Sequence, residues 1–249
     1  MFLACFVVIR YQSDILTRKQ FRSSRGMDEG IERLGKDILA IMDDRTHVER
    51  TFGLLCHALS ELNIDTIMKA GALIAKSVRE GNQLLVAGNG GSAATASHFA
   101  SDLVNRGSFL TKRPIRAVCL NDNIPLVTAL TNDIGWPQVY KYQLERLSKP
   151  GDIFVAISVN GGLSFRNGIE HSQNLVCALE AARSLDCPTI GLTGNGGGVF
   201  GDLCTVCISV CSREPAVAEP ISSVMTHLLI ESIVSLLAKA STEQQPAII

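Results

Sequence analysis

Four side chains stand out for the chemistry that their types and spacing allow: His98, Asp102, Glu219 and His227. His98 and Asp102 are four apart, and in a helix positions i and i+4 share one face. An imidazole nitrogen and a carboxylate oxygen placed so can hold one cation. The same spacing also suits a histidine simply paired with a neighbouring carboxylate. Glu219 and His227 are eight apart, about 12 Å along a continuous helix, so they cannot both reach one ion from mid-helix. Two arrangements resolve this. Pro220 favours the first helical position, which would leave Glu219 at the cap and free to swing. Alternatively, the site is shared between subunits. Histidine with carboxylates suits Zn²⁺ or another divalent ion.

The second group of features is glycine-rich. In Gly88-Asn89-Gly90-Gly91-Ser92 the glycines let backbone amides approach an anion, and a helix beginning there offers unpaired N–H groups. A tight turn with a serine N-cap would read the same way. No Gly-Lys-Ser/Thr follows, and the third glycine of a dinucleotide fingerprint is missing. Ser158-Val159-Asn160-Gly161 and Gly194-Asn195-Gly196-Gly197-Gly198 form two further glycine turns. Cys204, Cys207 and Cys211 have metal-like spacing, but they lie in the apolar run LCTVCISVC, where cysteine behaves as a small hydrophobe. Asp152, after Gly151, reads as a residue that shapes the turn into a strand.

The elements that must position these residues alternate. Residues 28 to about 80 carry helical periodicity. Short apolar runs near 84–88, 115–120, 152–158, 188–193 and 205–210 then alternate with helical patterns, ending in a long helix from Pro220 onward. Continuous rather than alternating apolar strands imply a parallel sheet covered on both faces. The expected architecture is α/β, a three-layer αβα sandwich with a five-stranded parallel sheet and an N-terminal helical segment. Ligands of such sheets bind at the carboxyl ends of strands, which is where the glycine turns fall.

Composition narrows the function classes. The chain has 249 residues, 46 % hydrophobic and 19 % charged, which leaves ample material for one core. A net charge of -1 and 5 % aromatics give neither the basic surface nor the stacking platform of a nucleic-acid binder. The apolar run Phe2–Ile9 is far short of the roughly 20 residues of a membrane span. It also lacks the basic start and cleavage site of a secretory signal. The expectation is a cytoplasmic protein with no nucleic-acid or membrane partner, in which residues 1–26 form an unstructured extension and 241–249 a tail.

GNGGSAATASHFASDL resembles the opening motif of the sugar isomerase (SIS) domain, and more closely that of the phosphoheptose isomerases. LVTALTNDIGW, LSKPGDIFVAIS, ALEAARSLDCPTIGLTGNGGG and AEPISSVMTHLLIESI resemble later stretches of the same family, in order. The likeness covers roughly residues 45 to 240. It implies the SIS fold with flavodoxin-like strand order over 81–240, and helices in 27–80 that pack on the domain and in the oligomer. It also implies a homo-oligomer, a tetramer, and an aldose–ketose isomerase acting on sedoheptulose 7-phosphate.

The resemblance also assigns roles. Asn89, Gly90, Gly91 and Ser92 fall on the substrate loop. Asn132 and Asp133 fall on an Asn-Asp pair that meets sugar hydroxyls. His98, Asp102, Glu219 and His227 fall on the metal ligands, with Glu219 also on the substrate. Asp102 falls on the catalytic glutamate and is one methylene shorter. This makes Asp102 the base, His227 the acid and Glu219 the second choice of base. Ser158, Val159, Asn160 and Ser172 fall on the phosphate loop, which departs from the family pattern. Valine replaces a threonine, asparagine replaces a serine, and residues 162–171 are inserted, bringing Ser164 and Arg166. The altered loop favours a rival reading: a non-catalytic SIS-domain protein that binds a phosphosugar or a protein partner such as a replication initiator. Retained His98, Asp102 and His227 oppose it.

Overall fold

A computed structural model describes residues 44–163, 171–194 and 196–242 of the chain. The N-terminal stretch 1–43, the insertion residues Ser164 and Arg166 and the tail from 243 lie outside the described residues. The described residues fall into two compact units, the first contributing only 44–52. The second begins at Gly53, within the first described helix.

Two helices, α1 (Asp44–Ser60) and α2 (Ile64–Arg79), form the N-terminal helical segment. Asn63 caps α2, its side chain accepting from Thr66 N at 3.0 Å, and Ile67, Ala70, Ile74 and Val78 give α2 a buried stripe. The strands follow: β1 (Gln83–Gly88), β2 (Arg116–Cys119), β3 (Ile153–Ser158), β4 (Thr189–Thr193) and β5 (Val206–Ser209). They lie close to the expected strands and pair in parallel in the order β2-β1-β3-β4-β5. This is the flavodoxin-like order, in which the switch point lies between β1 and β3.

Helices cover both faces. Between the strands run α3 (Gly91–Asp102), α4 (Ser108–Thr111), α5 (Ile124–Ile134), α6 (Val139–Leu147), α7 (Gln173–Ser184) and α8 (Phe200–Leu203), and α9 (Pro215–Thr242) closes the chain. One core layer joins α2, α3 and α9 to the sheet through residues such as Ile74, Phe99, Val155, Met225 and Ile233. The other joins α5, α6 and α7 through Leu130, Tyr140, Phe154 and Leu179. Burial on both sides explains the unbroken apolar sequence of the central strands β1, β3 and β4, while the edge strands β2 and β5 are partly exposed. Gly71 lets α9 come close to α2, since a Cβ there would sit 2.1 Å from Ser232 Oγ.

The long helix differs from expectation at its start. It begins at Pro215, and Pro220 lies inside it. Pro215 takes the first helical position, where its missing N–H costs nothing, and the Glu214 carbonyl accepts from Val217 N at 2.9 Å and Ala218 N at 2.8 Å. Glu219 is therefore a helical residue, not a swinging cap. By length and hydropathy alone α9 could cross a bilayer. Its apolar residues Val217, Ile221, Met225, Leu229 and Leu237 are instead packed in the core, the pattern of a core helix.

Candidate active site

β1 and β3 are neighbours, with Gly88 in register with Ile157, so Asn89 and Ser158 leave the sheet side by side. The loop after β1 turns at Gly90, with φ 56° and ψ −125°, a conformation that glycine reaches without penalty. Gly90 is also the N-cap of α3. Ser92 is thus not the cap. It is the second helical residue, and it is buried. A Cβ on Gly88 would sit 2.4 Å from Ser92 O, so α3 can begin directly over the end of β1 only because residue 88 is glycine.

Glu219 comes to this loop from α9. A Cβ on Gly91 would sit 2.4 Å from Glu219 Oε2 and 2.8 Å from Oε1. The positive end of α3 therefore already faces a carboxylate of the protein itself. That changes what the loop can take. It presents backbone donors beside an acidic acceptor, which suits sugar hydroxyls better than a phosphate.

Two to three turns further along both helices is a second meeting point. Asp102 Oδ2 lies 3.7 Å from His98 Nε2 and 3.5 Å from His227 Nδ1. The two imidazoles stand edge to face, with centroids 5.2 Å apart. One donor atom from each of His98, Asp102 and His227 lies within 4.8 Å of the others. Both histidine side chains are about half exposed (52 % and 50 %), so the cluster is open on one side. Asp102 is the last residue of α3 before a π-helical turn, Leu103–Gly107, a device found at functional sites because it re-aims side chains. Two imidazole nitrogens and one carboxylate oxygen fit Zn²⁺ or a similar divalent ion, with one side left for substrate. Of the four residues assigned to the metal, the chain brings three together and leaves Glu219 at the glycine loop.

The turn after β3 is built from hydroxyls and glycine. Ser158 Oγ accepts from Gly161 N at 3.2 Å and lies 3.0 Å from Ser172 Oγ. Ser172 takes a left-handed conformation (φ 59°) at the start of α7. The glycine turn after β4 serves as a buttress: Gly194 N donates to Val159 O at 3.0 Å, and a Cβ on Gly198 would sit 2.7 Å from Asn160 O. Asn132 and Asp133 are exposed in the last turn of α5, hydrogen-bonded to each other at 2.9 Å. No hydrogen bond joins them to the glycine loop among the described residues.

Next to the site, Asn121 and Tyr140 carried no signal in the sequence, whereas Asn174 ends the stretch Ser172-Gln173-Asn174 that resembles the close of the phosphate loop. Asn121 pairs with the backbone of Gly88, accepting from Gly88 N at 3.1 Å and donating to Gly88 O at 2.8 Å. Tyr140 and Asn174 lie in the same layer. Asp152 shapes its turn as expected: buried, it accepts from Gln83 N at 2.9 Å and from Lys149 N at 3.0 Å. The three cysteines are spread along β5 and its flanks, and the thiols of Cys204 and Cys207 are pushed up by burial, the state of packed residues rather than of ligands.

Comparison with known proteins agrees with this geometry. The SIS domain family matches residues 49–194. Phosphoheptose isomerase of Nitratidesulfovibrio vulgaris is 36 % identical over 168 residues, spanning 67 % of this chain and 76 % of that protein. The phosphoheptose isomerase of Desulfovibrio desulfuricans is 39 % identical over 166 residues, 66 % of this chain and 74 % of its own. Among solved structures, a phosphoheptose isomerase from Francisella tularensis superposes with a TM-score of 0.67 at 26 % identity, covering 77 % of this chain and 96 % of that one. With the strand order, the glycine loop at the switch point and the His–Asp–His cluster in place, the chain belongs to the SIS domain family, among its phosphoheptose isomerases.

Proposed function

We propose that the chain is an aldose–ketose isomerase that interconverts sedoheptulose 7-phosphate and a glycero-manno-heptose 7-phosphate. The observation that carries this reading is the division of labour at the strand ends. Glu219 makes the glycine loop a seat for hydroxyls, while the facing hydroxyls of Ser158 and Ser172, beside the backbone of Val159 and Asn160, are left for the phosphate. A phosphorylated polyol has those two ends.

Asp102 is eleven residues from Gly91 along α3, about 16 Å at 1.5 Å per residue. A seven-carbon substrate anchored at the strand ends of one chain does not reach it. The site is therefore completed between copies of the chain, in a homo-oligomer that we take to be a tetramer. His98, Asp102 and His227 of one copy face the glycine loop, Glu219, Asn132 and Asp133 region of another. The half-exposed histidines suit such a contact.

The reaction moves a proton between adjacent carbons through an ene-diol. Asp102 Oδ1, the carboxylate oxygen not turned to the two histidines, takes the proton from one carbon and returns it to the next. His227, through Nε2, gives a proton to the carbonyl oxygen and takes back the one that the neighbouring hydroxyl oxygen loses, so it ends the cycle protonated as it began. His98, Asp102 and His227 would hold the divalent ion, with Glu219 of an adjoining copy as its further ligand. When bound, such an ion polarises the carbonyl and fixes its orientation. A cytoplasmic location fits an enzyme of phosphosugar metabolism. Isomerisation in D₂O tests the reading: one solvent deuteron should appear on carbon in the product, and turnover without deuterium would replace the ene-diol with a hydride shift.

A further inference from the structure

Beneath the glycine loop lies a polar layer that the metal cluster does not use. Asn174, in the first turn of α7, is fully buried. Its amide makes a reciprocal pair with Asn89. Asn89 Nδ2 donates to Asn174 Oδ1 at 2.9 Å, and Asn174 Nδ2 donates to Asn89 Oδ1 at 2.9 Å. Asn174 Oδ1 also accepts from Leu175 N at 3.0 Å. One residue earlier, Tyr140 O–H donates to Gly88 O at 3.0 Å, and Asn121 Nδ2 donates to Tyr140 Oη at 2.5 Å. The loop is thus held from β2's end, from α6 and from α7.

Asn174 is buried and Asn89 half-buried, and an apolar pair of the same shape would fill the space at little net cost. The reciprocal geometry of the two amides supplies orientation. It turns the Asn89 side chain into the protein and leaves only its backbone for a ligand. It also fixes the peptide that leads into Gly90, whose φ and ψ set where the next amides point. We propose that Asn174 is a positioning residue: it latches Asn89 so that the amides of Asn89, Gly90 and Gly91 are held in the geometry that seats the sugar, with Tyr140 and Asn121 clamping Gly88. The proposal rests on the reading that this loop seats the substrate.

Asn174→Asp tests it, since the change keeps the shape but replaces the donor facing Asn89 Oδ1 by an oxygen. Two readouts are taken on the full chain: hydrogen exchange of the segment 85–95 and the kinetics with sedoheptulose 7-phosphate. The latch predicts about tenfold faster exchange in that segment, and KM raised about tenfold with kcat within about twofold, the loss of one hydrogen bond's worth of uniform binding. Unchanged exchange with unchanged KM would overturn it. A drop in Tm with KM unmoved would also overturn it, because that is the mark of a structural role alone. If Asn174→Asp does not fold, Tyr140→Phe takes its place. It removes only the hydroxyl on Gly88 O; a raised KM supports the proposal and an unmoved one overturns it. A wild-type chain that turns over nothing counts against the isomerase reading, while the exchange comparison still decides the latch.

Discussion

Glu219 and Gly91 meet closely: a Cβ at residue 91 would sit 2.4 Å from the Glu219 carboxylate, so the carboxylate has to turn away to admit one. The contact joins the second turn of α9 to the first residue of α3, and it fixes how these helices lie over the strand ends. Gly91→Ala should cost less than about 1 kcal/mol, since only the end of a flexible side chain has to move and alanine suits a helix better than glycine, yet it should abolish most of the activity by displacing Glu219. Adding Glu219→Ala should not restore the turnover. Denaturant melts and rate assays of the single and double variants check the two parts.

The His–Asp–His cluster predicts a metal dependence. His98→Ala or His227→Ala should lower affinity for Zn²⁺ by at least about a hundredfold, since even partners outside the ligand set are worth about 10- to 100-fold. Elemental analysis after dialysis against a weak chelator reads this directly. Metal retained at wild-type level in both variants would place the ion elsewhere.

The base is separable from the fold. Asp102→Asn keeps the shape and removes the basic oxygen, so turnover should fall about 10²- to 10⁴-fold, the usual worth of a positioned base, with the oligomer intact by sedimentation. If Asp102→Asn stays near wild type and Glu219→Gln is the dead variant, Glu219 is the base.

Much of the fold was legible in the sequence because the strands are short, mostly apolar runs closed by turn residues, and the central three are buried on both faces. His98 and Asp102 were legible because helical spacing alone brings them together. The start of α9 was not. Pro215 and Pro220 both satisfy the preference for the first helical position, and only the cap at Glu214 decides between them. The contact of Asn89 with Asn174 spans 85 positions. It follows from the β1–β3–α7 topology, which local pattern does not encode. The π turn after Asp102 likewise has no sequence signature in Leu103–Gly107.

Alkaline pH should weaken the fold. Burial pushes the Cys119 thiol up from 9.0 to about 12 and the Tyr140 phenol up from 10.0 to about 12, and it also raises Cys187, Cys204 and Cys207. Each keeps its proton in the fold after the unfolded chain has lost it. For Cys119 and Tyr140 that contribution is fully present below pH 9 and pH 10 respectively and is lost as pH rises towards 12. The expected slope is about 1.4 kcal/mol per pH unit for each group inside its window. Urea melts across that range should show it, and Cys119→Ala should make the slope shallower.

Catalysis is measured most directly by the isomerisation of sedoheptulose 7-phosphate by the Zn²⁺-supplemented full chain beside its His227→Ala variant. An isomerase of this kind forms the heptose 7-phosphate steadily to a fixed equilibrium, and the variant should lose at least about a hundredfold in rate. A folded, metal-loaded wild type that leaves the ketose unchanged would contradict the isomerase reading, and would give the ground to a non-catalytic SIS-domain protein whose altered phosphate turn serves binding alone.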